Sequence, residues 1–276
     1  MDKVIDNLRR LYGEMFSAEK KVADLVLNQP QDVINMSISE LARVSNTSDA
    51  TIIRMCKRIG YTGYYQMKIS LATEFGRDQV IDRGSFKKAP KDVVDFFDFV
   101  SATIFQASKN VNNDILNACV NTLSNANMVY FVAWGNTMAV AEDFAHRLSR
   151  CGIKTFISET PEYLIRNISF GCEKDVLVAL SHSGTSIHVI QNLELANERN
   201  MKTILITNTK DSKAAEISDY VLSAEIKEQF FFDFGAASHI IEMLIVDALI
   251  YFLLNENETF AKRADQAEVI SSQYKL

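Results

Sequence analysis

The densest grouping of chemically capable residues is Ser181-His182-Ser183-Gly184-Thr185-Ser186, in which five of six positions are hydroxyl or glycine. Hydroxyls and backbone N–H groups in such a loop can wrap a phosphate, and a helix N-terminus behind them adds attraction. A shorter loop, Gly135-Asn136-Thr137, offers the same chemistry. Ser, Gly and Thr are also ordinary N-caps and turn formers, and for Gly135 and Thr137 alone that reading is the simpler one. For the six-residue loop, phosphate binding is the better account. Neither loop contains lysine, and neither G-x-x-x-x-G-K-[ST] nor G-x-G-x-x-G occurs, so nucleotide binding has little support.

Catalysis by proton transfer requires a positioned base, often Glu or His. His182 lies inside the serine-rich loop, and His239 and Glu242 fall one turn apart on the last long apolar stretch. Polar residues on a buried helix more often satisfy each other or a subunit interface. His146 and His188 sit inside helical stretches and read as structural. The expectation is therefore no catalytic residue, with His182 as a ligand contact.

A second grouping is basic. Between Arg43 and Lys68 stand five cations (Arg43, Arg54, Lys57, Arg58 and Lys68) against one acid, Asp49. The whole chain carries a formal charge of −6, but residues 1–77 hold 11 Lys/Arg against 9 Asp/Glu and the remainder 18 against 26. Acidity overall argues against a surface coated with nucleic acid and leaves room for a local basic face. The four cysteines, Cys56, Cys119, Cys151 and Cys172, form no C-x-x-C pair, so neither a zinc site nor a disulfide framework is expected, nor any cofactor. The opening MDKVIDNLRR lacks an apolar core, unlike a signal peptide, and no apolar run reaches the roughly 18 residues a membrane span needs. A soluble protein of the cytoplasm is expected.

The elements that must position these groups divide by texture. A chain of 276 residues with 47% hydrophobic content accommodates two cores. Residues 1–77 read as short helices. One is capped at Ser17 and stopped by Pro30, and another is opened by the capping box Ser37-Ile38-Ser39-Glu40 and runs through Val44. After Ser45-Asn46-Thr47, Ser48 caps a third that Gly60 closes. On that helix Ile52, Met55, Cys56 and Ile59 form the buried stripe, while Ala50, Arg54 and Lys57 face outward with Thr51 and Arg58 on the flanks. A capped helix, a three-residue turn and a second capped helix with a basic face meet the needs of a DNA-recognition helix. Ser48 stands at its N-terminus, Arg54 can fork onto guanine, Ala50 or Thr51 can touch a thymine methyl, and Lys57, Arg58 and Lys68 can grip phosphates. Spacing alone fits a small helical packing domain equally well.

Arg77–Pro90 lacks periodicity and reads as a linker, followed by a helix from Val93 to about Val111. From Asn127 short apolar runs appear: Met128–Ala133, Lys154–Ile157, Asp175–Leu180, Lys202–Thr207 and Tyr220–Ala224. Continuous apolar strands separated by helices predict a mostly parallel sheet covered on both faces, a three-layer doubly wound α/β domain. An apolar helix, about Ala236 to Leu254, closes it, either within the core or at a dimer interface.

The run SISELARVSNTSDATIIRMCKRIGYTGYYQMKISLA resembles the N-terminal helix-turn-helix of the RpiR family of bacterial regulators. Its pattern S-I-x-E-L-A, S-x-A-T-[VI]-x-R and G-[FY]-x-G-[FY] is met by Ser37 to Ala42, Ser48 to Arg54 and Gly60 to Tyr64. The stretch DVLVALSHSGTSIHVIQNLELANERNMKTILITNTKDSKAAEISDYVLSA is similar to the sugar isomerase (SIS) domain of that family. Ser181, Ser183, Gly184 and Ser186 meet its S-x-S-G-x-[TS] hallmark. The first loop departs from the usual G-x-G-x-S, with Ala133, Gly135 and Thr137 around the bulky Trp134. Isomerase members often carry Glu where this chain has Thr185, which favours binding over catalysis. The resemblance implies a DNA-binding domain at 1–77, a linker and connecting helix at 78–104, a sugar-phosphate-binding SIS domain at 105–255 and a C-terminal tail at 256–276. It implies a transcription regulator whose partners are a double-stranded, pseudo-palindromic operator and a phosphorylated sugar or amino sugar. The operator symmetry calls for a homodimer or homotetramer. The alternatives are a sugar-phosphate isomerase with an accessory helical domain, or a ligand-independent DNA binder.

Overall fold

Capping residues set the local order of the first unit. The Ser37 hydroxyl accepts from the Glu40 N–H at 3.1 Å while the Glu40 carboxylate accepts from the Ser37 N–H at 2.7 Å. That reciprocal pair starts a helix whose end is turned by Asn46, in the left-handed region at φ 50°. Ser48 then starts the next helix by accepting from the Thr51 N–H. The structure is a computed structural model and describes residues 3–79, 92–226 and 236–274. These residues fall into two compact units, one ending at Phe99 and the other beginning at Val100.

The first unit contains α1 (Val4–Leu11), α2 (Ser17–Asn28), α3 (Pro30–Asn35), α4 (Ile38–Ser45), α5 (Asp49–Arg58) and α6 (Tyr64–Gln79). Its core gathers Val22, Val26, Leu41, Ile52, Met55, Cys56, Met67 and Leu71, all without exposure. The Cys56 thiol lies 3.6 Å from the Met67 sulfur, and burial pushes its pKa up to about 12, so it packs as an inert apolar group. α2 begins one residue earlier than the Ser17 cap predicted, because the Glu19 carboxylate accepts from the Phe16 N–H at 3.0 Å. The expected linker, Arg77–Pro90, lies outside the described residues from position 80 onward.

After α7 (Val93–Asn110) and α8 (Asn113–Ser124), strands and helices alternate. The order is β1 (Val129–Ala133), α9 (Thr137–Arg150), β2 (Thr155–Ile157), α10 (Pro161–Ile168), β3 (Val176–Leu180) and α11 (Ile187–Glu198), then β4 (Lys202–Thr207), α12 (Lys213–Glu216) and β5 (Tyr220–Ser223). The strands form one all-parallel sheet in the order β2-β1-β3-β4-β5. Alternate residues serve opposite layers, as the period of a strand requires. Phe131, Val178, Leu180 and Ile206 pack beneath α8, α9 and the long α13 (Ala236–Glu256), whereas Tyr130, Leu177, Ala179 and Leu205 face α10 and α11. α13 contributes Val246, Leu249 and Leu253 to the core, so its apolar character is used at least in part within the monomer.

The segment beyond residue 255, expected as a tail, is instead α14 (Glu258–Ser272). Asn257 caps it by accepting from the Thr259 N–H at 3.0 Å, Phe260 enters the core, and Arg150 pairs with Glu268 at 2.8 Å. Among the described residues no helix is long and apolar enough to cross a membrane.

One glycine carries a close approach. Gly184 sits at φ +63°, and a Cβ there would lie 1.9 Å from the Ser212 hydroxyl and 2.4 Å from its Cβ. Ser212 is fully buried, so it has no room to withdraw. Gly184→Ala is expected to destabilise the fold by about 2–3 kcal/mol. In a thermal melt this lowers Tm by on the order of 5 °C or more. A melt unchanged from wild type would show that the loop is not held as described.

Candidate functional site

The sheet order itself marks a place. From β1 the chain moves to β2 on one side, then crosses back to β3 on the other, so the winding reverses between β1 and β3. α9 follows β1 and packs on one face, while α11 follows β3 and packs on the opposite face. Their N-termini therefore diverge around a crevice at the carboxyl ends of the two strands, where open α/β sheets bind ligands. Ala133 and Leu180 are register partners at those ends, so the loops 134–137 and 181–186 are brought side by side.

Both helices are left open at this point. α4, α5, α8, α12 and α14 are capped by the side chains of Ser37, Ser48, Asn112, Ser212 and Asn257. α9 and α11 begin after Asn136 and Ser186, residues well suited to capping, yet neither side chain makes the cap bond. In α9 the Met138 N–H turns back to the Gly135 carbonyl at 3.1 Å, and neither cap side chain blocks the positive end of the helix dipole.

The second loop is braced from beneath. The Gly184 N–H donates to the Ser181 carbonyl, the Ala214 N–H donates to the Gly184 carbonyl, and the Asn208 N–H and Thr207 hydroxyl both donate to the His182 carbonyl. Ser183 is exposed and bonds Thr185 through their hydroxyls at 2.8 Å, Thr185 and Ser186 are half-buried, and Ser181 is buried. Ser181 is the deepest of the loop's hydroxyls, at 5% exposure.

The first loop contributes differently. Gly135 and Asn136 are exposed, and Gly135 turns the chain at φ +67°. Thr137 is buried, with its hydroxyl 3.2 Å from the Leu180 carbonyl, 3.2 Å from the Trp134 carbonyl and 3.4 Å from the Trp134 N–H. It ties β1's exit to β3's, so the hydroxyl expected as a ligand contact is engaged as a brace.

Two further features escaped sequence reasoning. His182 Nδ1 stands 3.1 Å from a carboxylate oxygen of Glu242, so Glu242 is joined to the loop and not to the neighbouring His239. Glu242 is 4% exposed, and its Oε2 has no hydrogen-bond partner among the described residues. The other feature is His188, read as structural, whose ring stacks on Trp134. A histidine in the first turn of the helix behind a hydroxyl loop was the signal available.

In the first unit, α5 exposes Arg54 and Lys57, with Ala50 and Ser48 at its N-terminal end. Arg54 also reaches the Thr51 hydroxyl at 3.2 Å. Three expected contacts fall elsewhere. Thr51 is 5% exposed and its hydroxyl lies 3.0 Å from that of Ser48, so its methyl is not presented outward. Arg58 pairs with the buried Glu19 at 3.0 Å and covers the Phe16 ring, bolting α5 to α2. Lys68 donates to the Met36 carbonyl at 3.1 Å.

Comparison with known proteins agrees with this division. Residues 3–78 match the helix-turn-helix domain of the rpiR family and residues 122–250 match the SIS domain. An uncharacterized HTH-type transcriptional regulator of Thermotoga maritima is 30% identical over 262 residues, covering 91% of each chain. The Vibrio vulnificus NanR protein, solved in complex with ManNAc-6P, superimposes with a TM-score of 0.84 at 25% identity, over 98% of this chain and 99% of that one. A bifunctional protein glk of Burkholderia thailandensis is 28% identical over 89% of this chain, which spans only 39% of that longer protein. Helix-turn-helix, SIS domain and full-length relatives together place this chain in the RpiR family of HTH-type transcription regulators.

Proposed function

We propose that this regulator binds operator DNA through α5 and takes a phosphorylated sugar or amino sugar as effector at the crevice between β1 and β3. The observation that carries the effector reading is the pair of uncapped helix N-termini meeting the hydroxyl loop Ser181–Ser186 at the point where the sheet reverses. Backbone amides of α9 and α11 with the hydroxyls of Ser183, Thr185 and Ser186 supply neutral donors converging on one anion. The similarity to NanR, a regulator solved with ManNAc-6P, supports a sugar phosphate over inorganic anions. Gly135, Asn136, Ser181, His182 and Gly184 complete the lining, and Thr137 holds it together.

On the DNA side, Arg54 reads base edges while Lys57 contacts phosphate, with Ser48 and Ala50 lying against the duplex. Residues 1–77 act as the reading domain and 105–255 as the sensing domain, joined through 78–104. A homodimer or homotetramer in the cytoplasm presents two α5 helices to a pseudo-palindrome. The His182–Glu242 pair gives the isomerase reading one specific observation, a base with a carboxylate at 3.1 Å beside the loop. Aldose–ketose interconversion of hexose 6-phosphates, assayed with purified protein, decides it. No turnover is expected.

Arg54→Ala is expected to cost about 1–3 kcal/mol on the operator and to relax specificity there, whereas Lys57→Ala weakens all sequences evenly. Gel-shift titrations against operator and random duplex measure both, and unchanged operator binding by Arg54→Ala would remove α5 from the interface.

A sugar phosphate present at about 100 times its Kd stabilises the fold by about 2.7 kcal/mol. Ser183→Ala, at an exposed hydroxyl, is expected to shrink the resulting thermal shift, and Ser181→Ala with Ser183→Ala to abolish it. A full response from the double variant would place the effector elsewhere.

Effector and operator are expected to couple by about 1–3 kcal/mol, roughly 5–150-fold in affinity, and the coupling is reciprocal. Calorimetric titration of the sugar phosphate with and without operator measures it. Identical affinities would mean two independent binding modules.

A further inference from the structure

Trp134 is the single tryptophan of the chain and stands where β1 passes into the first loop. Its indole stacks on the His188 imidazole with centroids 4.2 Å apart and planes 30° apart, yet 51% of the residue remains exposed. The two rings come from the two strands that flank the crevice. Trp134 follows β1, and His188 lies in the first turn of α11, which follows β3. The stack therefore runs from one loop to the other across the rim of the effector crevice.

This indole is fixed but not packed away. Thr137 grips the Trp134 backbone at both its N–H and its carbonyl, and Gly135 turns the chain directly after it. A tryptophan normally contributes 150–250 Å² to a core or interface. Trp134 joins none of the hydrophobic clusters among the described residues. Leaving half of it in water forgoes the stabilisation that burial of its apolar surface would give. A rigid aromatic face kept exposed beside a phosphate-type loop is a ligand wall, since small-molecule sites combine apolar and aromatic walls with a few converging polar groups. For a phosphorylated sugar the division of labour follows from its chemistry. The phosphate takes the amides and hydroxyls, and the C–H face of the sugar ring takes the indole.

We propose that the Trp134–His188 stack is the sugar-ring platform of the effector site and makes it prefer phosphorylated hexoses to phosphorylated three-carbon compounds. This inference rests on the effector reading above and extends it from the phosphate to the sugar. A platform at this position gains nothing from inorganic phosphate or glycerol 3-phosphate, which are too small to reach from the anion loop onto the indole.

The single tryptophan supplies the test. Emission excited where tyrosine does not absorb is followed while ManNAc-6P, glucose 6-phosphate, glycerol 3-phosphate and inorganic phosphate are added to full-length protein, with thermal shifts measured in parallel. At least one hexose phosphate is expected to change the emission saturably, with the same midpoint as its thermal stabilisation, while the two small compounds leave it unchanged. Trp134→Ala is expected to weaken hexose phosphate binding roughly tenfold, the size of one aromatic contact. Trp134→Phe should retain most of the affinity, and both variants should melt as wild type without ligand. Hexose phosphates that stabilise the protein without moving the emission, and bind Trp134→Ala as well as wild type, would overturn the platform and leave the effector site standing. If no phosphate compound stabilises the protein, the effector reading falls and the platform with it. Ligand-free emission that shifts on dilution would show Trp134 covered by a second copy of the chain, which also overturns the proposal.

Discussion

The reversal of strand order between β1 and β3 is the constraint on which the sensing domain depends. A parallel strand needs a crossover to reach its neighbour, and right-handed crossovers send the following helix to one face or the other according to the direction of travel. Moving from β1 to β2 and then from β3 to β4 sends α9 and α11 to opposite faces. Two helix N-termini then open at one point, at the loops 134–137 and 181–186. Among the described residues five such ends are closed by Ser or Asn side chains. α9 and α11 are not, despite Asn136 and Ser186 in the capping position, and that is the feature on which the proposed effector site rests.

The reading domain meets a different constraint, because five cations must serve both folding and DNA. Arg58 is drawn to Glu19, which is 3% exposed, and an uncompensated carboxylate there would be costly. Lys68 caps a carbonyl at the end of α3. Arg54 and Lys57 are left as the cations that α5 holds outward on the side away from its buried stripe. A patch that looks continuous in the sequence is thus divided, with Arg58 held by the buried Glu19, Lys68 by a carbonyl, and Arg54 and Lys57 exposed.

What the sequence made legible follows the range of the interactions involved. The Ser37–Glu40 box, the Ser48 cap and the five strand runs were readable because caps span three residues and strand burial is written into consecutive apolar positions. The parallel sheet followed from the same runs. The Glu19–Arg58 pair, 39 positions apart, and the His182–Glu242 pair, 60 apart, have no local signature. Thr137 was legible as a hydroxyl at the right place, but only the neighbouring Leu180 carbonyl decides that it braces the loops. α14 was missed for another reason. Its stretch is polar on most faces, and what makes it a helix is the Asn257 cap together with Phe260 reaching a core that the tail's own sequence does not reveal.

The link between α13 and the serine-rich loop shows how a sensing site can be joined to the body of its domain. Glu242 stands on α13 within two turns of Val246 and Leu249, which are locked into the core. One of its oxygens meets His182, and the other is buried without a partner among the described residues. A buried acceptor left unsatisfied costs about 1–3 kcal/mol, so this arrangement is less stable than one in which that oxygen finds a donor. His182 is held by its own carbonyl to Thr207 and Asn208 at the end of β4. Any effector that repositions the Ser181–Ser186 loop therefore acts on a contact that α13 cannot ignore, since packed helices shift between discrete arrangements and do not deform gradually.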